Sequence, residues 1–268
     1  MKSLVRKTDQ IFLKSSSQIV DKDNYSVIKT PTNPGFHWGN YLYLKKPPEL
    51  ESLKQWIECF DEEFKKGLQH YNFVWASYEP ISSSSKRAME EFGFKYYSAV
   101  GLMAKEITFP THFNSDITIR SIQKEEDWEA VIQNQLACAD PIYLDENYEP
   151  FKRTQFDVYR ELVNNGEGEW FGAFLGDELS ADLGIFTVDN LARFQSVGTN
   201  PRFRKKGICA SLVFHAGNQY LSKSGIDTLV MEADENYHAA RIYESVGFKG
   251  TEHSESISWW SSLPALSL

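Results

Sequence analysis

From Ile117 onward the chain alternates between two hydrophobic periods. Ile117 and Ile119 lie two apart, as one face of a strand does, and Trp128, Val131, Ile132 and Leu136 then recur at helical spacing. The acidic, aromatic run DPIYLDENYEPFKRTQFDVYRELVNNGEG predicts a loop leading into a second helix. Two strands follow, EWFGAFLG and ADLGIFTV, joined by the turn-forming Gly176-Asp177-Glu178, and a third, ARFQSVGT, leads to the loop NPRFRKKG. The helix ICASLVFHAGNQYLSKSG has its stop at Gly225. The run TLVMEA reads as a strand, HAARIYESV as a helix and FKGTEHSESISWW as a closing hairpin. Runs of adjacent strands with two single-helix crossovers predict a mixed sheet with helices on its faces.

The region before Ile117 echoes only the latter part of this order. GNYLYLKK is a strand, PPELESLKQWIECFDEEFKKG a helix that starts on prolines, NFVWASYE a strand, SKRAMEEF a helix and FKYYSAVGLMA another strand. A phrase recurs as well: KRAMEEFGFK near the middle and AARIYESVGFK near the end. With Gly93 laid on Gly247, Arg87, Glu90, Phe94 and Lys95 face Arg241, Glu244, Phe248 and Lys249. Because the phrase sits at the same place in the same succession of elements, it predicts an internal repeat. Turn formers crowd Glu106–Asp116, so the expected domains are residues 1–110 and 116–268.

Composition narrows the function classes. The 268 residues are 41% hydrophobic and 14% aromatic, enough for sizeable cores, and a net charge of −9 opposes generic nucleic-acid binding. Cys59, Cys138 and Cys209 are widely spaced, with no CxxC pair, which predicts reduced thiols and no zinc site. MKSLVRKTDQIFLKSSSQ lacks the apolar centre of a secretory leader, and no apolar run nears the ~18 residues of a membrane span. The expectation is a soluble cytoplasmic protein.

Against that acidic background, Arg202, Arg204, Lys205 and Lys206 crowd just before a helix begins. Each opposes the helix dipole by about 0.3–1 kcal/mol. A bound anion would reverse that penalty, held by the amides of Lys206, Gly207, Ile208 and Cys209, and Gly207 would let the backbone approach phosphate oxygens. A solvated basic turn is the other reading. It is neither a P-loop nor a GxGxxG fingerprint. Further on, Asn236, Ala239 and Tyr243 stand at i, i+3 and i+7, which predicts one helix face with small Ala239 between an amide and a phenol. An ordinary helix with a half-buried tyrosine accounts for it equally.

Together the two segments resemble the GNAT superfamily of acyl-CoA-dependent N-acyltransferases. Arg204-x-x-Gly207-x-Cys209 is similar to that family's pyrophosphate loop, with Cys where Gly or Ala is usual. The run Asn236-x-x-Ala239-x-x-x-Tyr243-x-x-x-Gly247-Phe248 matches its downstream helix, and the likeness extends from Ile117 to about Trp260. The resemblance implies an α/β (α+β) fold of two GNAT-like modules, each a mixed, mostly antiparallel sheet flanked by helices, the first truncated. It implies acetyl-CoA as cosubstrate, wedged between ARFQSVGT and TLVMEA. Val197, Gly198 and Thr199 would meet the pantetheine arm and thioester, and Arg204, Lys205, Lys206, Gly207, Ile208, Cys209 and Ala210 the pyrophosphate, with Asn236 lining the donor site. Tyr243 would protonate the departing thiolate, and Glu232, on the same side of its strand as Val230, is either the base or a salt-bridged strand carboxylate. The acceptor would be an amine on a small molecule or peptide. The acidic segment Asp140–Glu149 is either part of that acceptor cleft or a solvated loop.

No metal is implied, since His215 and His238 lack any ligand spacing such as HExxH. In the repeat, Ser82, Ser85 and Met89 stand where Asn236, Ala239 and Tyr243 do, and KPPELESL replaces the glycine loop. The first half thus reads as a non-catalytic module. A CoA-binding sensor or scaffold without turnover is the alternative function.

Overall fold

A computed structural model describes residues 3–76, 81–236 and 239–266. The chain divides into two compact units that interleave in sequence. The larger is made of Met1–Phe12, Gly101–Ala233 and Tyr237–Thr251; the smaller of Leu13–Val100, Asp234–Asn236 and Glu252–Leu268.

The larger unit holds the strands β6 (Ile117–Ser121), β7 (Gly168–Leu175), β8 (Glu178–Val188), β9 (Leu191–Thr199) and β10 (Thr228–Asp234, as far as Ala233) in the order β10-β9-β8-β7-β6. Pairing is antiparallel from β6 through β9, and β10 runs parallel to β9 because the helix α6 (Ile208–Leu221) crosses between them. β8 is buried almost without interruption, Leu179 to Phe186. Such a run needs cover on both faces, which α4 (Glu125–Cys138) and α6 supply by packing on it. Trp128, Val131 and Ile132 of α4 meet Phe156, Tyr159 and Leu162 of α5 (Tyr148–Asn164), together with Trp170, Phe174 and Phe186 of the sheet. Ile11 and Phe12 join that core from α1 (Leu4–Ser16), a helix absent from the sequence reading.

The smaller unit has β1 (Gln18–Asp21), β2 (Tyr25–Lys29), β3 (Tyr41–Leu44), β4 (His70–Ala76) and most of β11 (Lys249–Trp260) in the order β1-β2-β3-β4-β11. β3 and β4 are parallel across the crossover helix α2 (Leu53–Phe64), as β9 and β10 are across α6. The remaining strand, β5 (Lys95–Ala104), divides between the units at Val100. The β1–β2 pair is absent from the sequence reading, and one expectation fails here: FKGTEHSESISWW is one strand rather than a hairpin. Its centre, Ser254-Glu255-Ser256, has no turn former, and Ser254–Trp260 finds an antiparallel partner in Ala76–His70.

The repeated phrase is a repeated structure. α3 (Ser83–Glu91) and α7 (Ala239–Ser245) each stop on a left-handed glycine, Gly93 at φ 104° and Gly247 at φ 107°. In each, the phenylalanine N–H returns to a carbonyl five residues back: Phe94 to Met89 at 3.2 Å, and Phe248 to Tyr243 at 3.2 Å. That 6→1 bond is the Schellman closure. It tucks Phe94 and Phe248 into their respective cores, each 2% exposed. The α6 helix, by contrast, ends at Leu221, short of Gly225.

Candidate active site at a fork of parallel strands

β9 and β10 pair only over Leu191–Arg193 and Thr228–Val230. Past Arg193 and Val230 both strands continue without pairing to each other, so a fork opens between Phe194–Thr199 and Met231–Ala233. In the smaller unit β3 pairs with β4 to its last residue, Leu44 with Trp75, and no equivalent fork forms there among the described residues. The strand edges at the fork carry peptide groups that no ladder uses, the kind of surface on which an extended, amide-bearing ligand adds as a strand would.

Beyond Thr199 the chain makes a short 3₁₀ turn at Pro201–Phe203, secured by the Asn200 side chain accepting from the Arg202 N–H at 3.1 Å. Lys205 (φ 63°) and Gly207 (φ 74°) are left-handed, and α6 starts at Ile208. No side chain caps this helix, so the N–H groups of Ile208, Cys209 and Ala210 have no helical acceptor. Gly207 is glycine for two reasons: its φ, and a Cβ there would lie 2.0 Å from the His112 carbonyl oxygen. The four cations differ in disposition. Arg202 is paired with Glu178 at 2.7 Å, and Arg204 turns back so that Nε donates to the Thr199 carbonyl at 3.1 Å. Lys205 and Lys206 stay exposed, Lys206 over the Phe203 ring. Burial pushes the Cys209 thiol up to about 11, which removes any thiolate character at neutral pH.

Tyr243 lies on α7, 5% exposed, its ring against Phe248, which in turn meets Phe194 of β9 edge-on. Glu232 sits two residues past the fork point, 3.5 Å from the buried Arg193 guanidinium. Arg193 is also held by Asp9 at 3.2 Å and Thr8 at 3.1 Å of α1. Since Arg193 and Phe194 are neighbours on one strand, Glu232 and Tyr243 stand on opposite faces of the sheet. Asn236 is in a turn after β10, with its N–H on Asp234 Oδ1 at 2.8 Å, and residues 237–238, between it and Ala239 of α7, lie outside the described residues. His238 lies outside the described residues, while His215 packs edge-on to Phe171, and the described residues contain no metal-binding group.

The acidic segment is largely used locally. Asp140 and Asp145 accept from the N–H groups of Ile142 and Asn147, and Glu149 pairs with Arg153 at 2.8 Å.

A polar cluster beside the fork is absent from the sequence reading. Asp182 of β8 is fully buried and accepts three hydrogen bonds: Asn134 Nδ2 at 2.6 Å, Gln135 Nε2 at 2.9 Å and Trp170 Nε1 at 3.1 Å. The signal was available as a lone charge in the otherwise apolar ADLGIF. Burial pushes this carboxyl up to about 7 against the pull of its donors, and burial likewise brings the nearby Lys152 down to about 8. Between the unfolded carboxyl's value, near 4, and about 7, the folded state keeps a proton that the unfolded chain releases. Stability should therefore fall as pH rises through that window, by at most about 1.4 kcal/mol per unit. Thermal unfolding of Asp182→Asn, neutral throughout, is expected to show a flatter limb; parallel limbs would assign the slope to another group.

The chain matches the Acetyltransferase (GNAT) family over residues 136–248. No curated protein matches it in sequence. Among solved structures, a conserved protein of unknown function from Staphylococcus epidermidis superposes with a TM-score of 0.73 at 16% identity, covering 91% of this chain and 93% of that one. A GCN5-related N-acetyltransferase from Kribbella flavida gives 0.64 at 13% identity, with 96% of each chain covered. A tandem GNAT protein from the clavulanic acid biosynthesis pathway gives 0.55 at 9%, covering 92% and 82%. At these identities the likeness is one of fold, a mixed and mostly antiparallel open sheet flanked by helices. Residues 136–248, from the end of α4 to the close of α7, match the GNAT acetyltransferase family, and the solved neighbours share the fold of that domain.

Proposed function

We propose that the protein transfers an acetyl group from acetyl-CoA to a primary amine, by direct attack in a ternary complex at the β9–β10 fork. The observation that carries this reading is the fork itself, with an uncapped helix N-terminus and two exposed lysines beside it. The residues present fit the donor. The amides of Ile208–Ala210 with Lys205 and Lys206 suit a pyrophosphate, and the edge of Val197, Gly198 and Thr199 that β10 leaves without a partner strand suits the pantetheine amides and the thioester oxygen. Arg204 contributes by fixing the end of β9.

In the reaction the amine nitrogen attacks the thioester carbon, the C–S bond breaks, and the thiolate takes a proton from Tyr243. Glu232, oriented by Arg193, accepts the ammonium proton directly or through water. The acceptor is a small-molecule or peptide amine. The three free cysteines fit a reducing compartment such as the cytoplasm.

The smaller unit is read as a degenerate, non-catalytic module of the same kind. Its crossover helix is preceded by Pro47 and Pro48, which lack N–H donors, and by Glu49 and Glu51, which repel phosphate. Calorimetric titration with acetyl-CoA should therefore give one site per chain, and thiol release should follow when a panel of amines is supplied. Reversing Lys205 and Lys206 to Glu should weaken that site in a salt-dependent way. Two sites per chain, or one indifferent to the double reversal, would place the donor elsewhere. Binding without turnover across the panel would instead favour a CoA sensor.

A further inference from the structure

Resting on that reading of the fork, we infer that Gln135 and Asp182 are positioning residues of the acyl-transfer site, holding a strained bulge in β9 that aims Val197, Gly198 and Thr199 into the fork. The register locates the bulge. Asp182 pairs with Gly198 and Gly184 pairs with Gln195, so Leu183 alone on β8 opposes both Ser196 and Val197 on β9. Ser196 takes the extra residue at φ 49°, a left-handed conformation that side chains disfavour and that persists only where the surroundings impose it. A bulge of this kind re-aims the residues that follow it.

The restraint on Ser196 is visible. Its carbonyl accepts from Gln135 Nε2 at 2.7 Å, and the same nitrogen donates to Asp182 Oδ1 at 2.9 Å. Both amide hydrogens of Gln135 are thereby committed. The amide cannot flip, because its oxygen would then face a carboxylate and a carbonyl. Asn134 and Trp170 complete the carboxylate's donors, so Asp182 acts as the fixed post to which Gln135 is tied. The contact reaches the proposed acyl site directly: a Cβ on Gly198 would lie 2.6 Å from Gln135 Nε2. Gly198 is thus the residue that lets the amide lie flat on the strand.

Burying a carboxylate is a poor route to stability, since apolar groups of similar volume do as well or better. The charged and titratable groups facing Asp182 are Lys152 from α5 and Cys138 from α4, neither within ion-pair distance among the described residues. What the cluster supplies is geometry, at the place where β9 leaves regular pairing with β8 and heads past the fork.

The test pairs a measurement on the ligand-free protein with one on turnover. In Gln135→Met, which keeps volume and removes both donors, and in Asp182→Asn, hydrogen exchange of the Val197–Thr199 amides should quicken by about tenfold or more while β7 amides keep the parental rate. With acetyl-CoA and an amine acceptor, kcat should drop by about 10²-fold while the Kd for CoA holds, because the phosphate grip lies on α6. Parental exchange at Val197–Thr199 in both variants would overturn the inference. So would a parallel loss of exchange protection across the whole unit, which marks a merely structural role. If the parent itself neither binds nor turns over acetyl-CoA, the proposed function fails, and the exchange result alone still judges the bulge.

Discussion

A Tyr243→Phe protein is expected to turn over about 10²–10⁴-fold more slowly than the parent, with its affinity for acetyl-CoA unchanged. The substitution is a clean one. Tyr243 is 5% exposed, and its ring is placed by Phe248, itself packed on Phe194 of β9. Phenylalanine keeps that packing and deletes only the hydroxyl. Tyr243 also supplies the carbonyl for the Phe248 N–H, a backbone bond that the change leaves alone. A phenol carries a proton at neutral pH that it can give to a departing thiolate. The kcat of parent and variant, measured with saturating donor, decides the matter. Equal rates would mean that water or another group protonates the leaving thiolate.

The second large effect is expected at Gly207. Alanine there must adopt a left-handed φ, at about 1–2 kcal/mol, and must also push aside the His112 carbonyl, a backbone atom 2.0 Å from the new Cβ. His112 cannot yield freely. Two residues on, the Asn114 side chain bonds the Lys206 carbonyl at 2.8 Å, and its N–H bonds Ser211 Oγ at 2.8 Å. The segment and the loop before α6 thus hold each other in place. Gly207→Ala should lower the unfolding midpoint by several degrees, at about 2–4 °C per kcal/mol for a chain of this length. It should weaken CoA binding as well, because the amides of Ile208–Ala210 shift with the loop. The double reversal of Lys205 and Lys206 leaves the backbone untouched, so it should weaken binding at an unchanged midpoint. If Gly207→Ala keeps both the parental midpoint and the parental affinity, the loop is not built as described. The larger Gly207→Glu is the poorer probe, since it confounds charge with folding.

Local chemistry was legible in the chain, and tertiary partnership was not. The phrase ending in Gly-Phe specified two helix stops of the same geometry, because a left-handed glycine and a buried phenylalanine are requirements of the few residues around them. The basic turn with Gly207 was equally readable, since it rests on spacing within one segment, and the single-helix crossover between ARFQSVGT and TLVMEA pointed to a parallel pair. Some elements took their form from distant contacts. α1 has a helical apolar period in Leu4, Val5, Ile11 and Phe12, but its cover, α5 and the sheet, is supplied by distant segments. The final strand stays straight because β4 offers a complete edge, a fact no residue between Lys249 and Trp260 encodes. Asp182, Gln135 and Ser196 lie far apart in sequence, and only the packing of α4 on β8 and β9 brings an amide, a carboxylate and a strained carbonyl together. Hydrophobic period and glycine placement determine which elements form. Which buried polar groups share hydrogen bonds is set by tertiary packing, because each must find its partner wherever the fold delivers one.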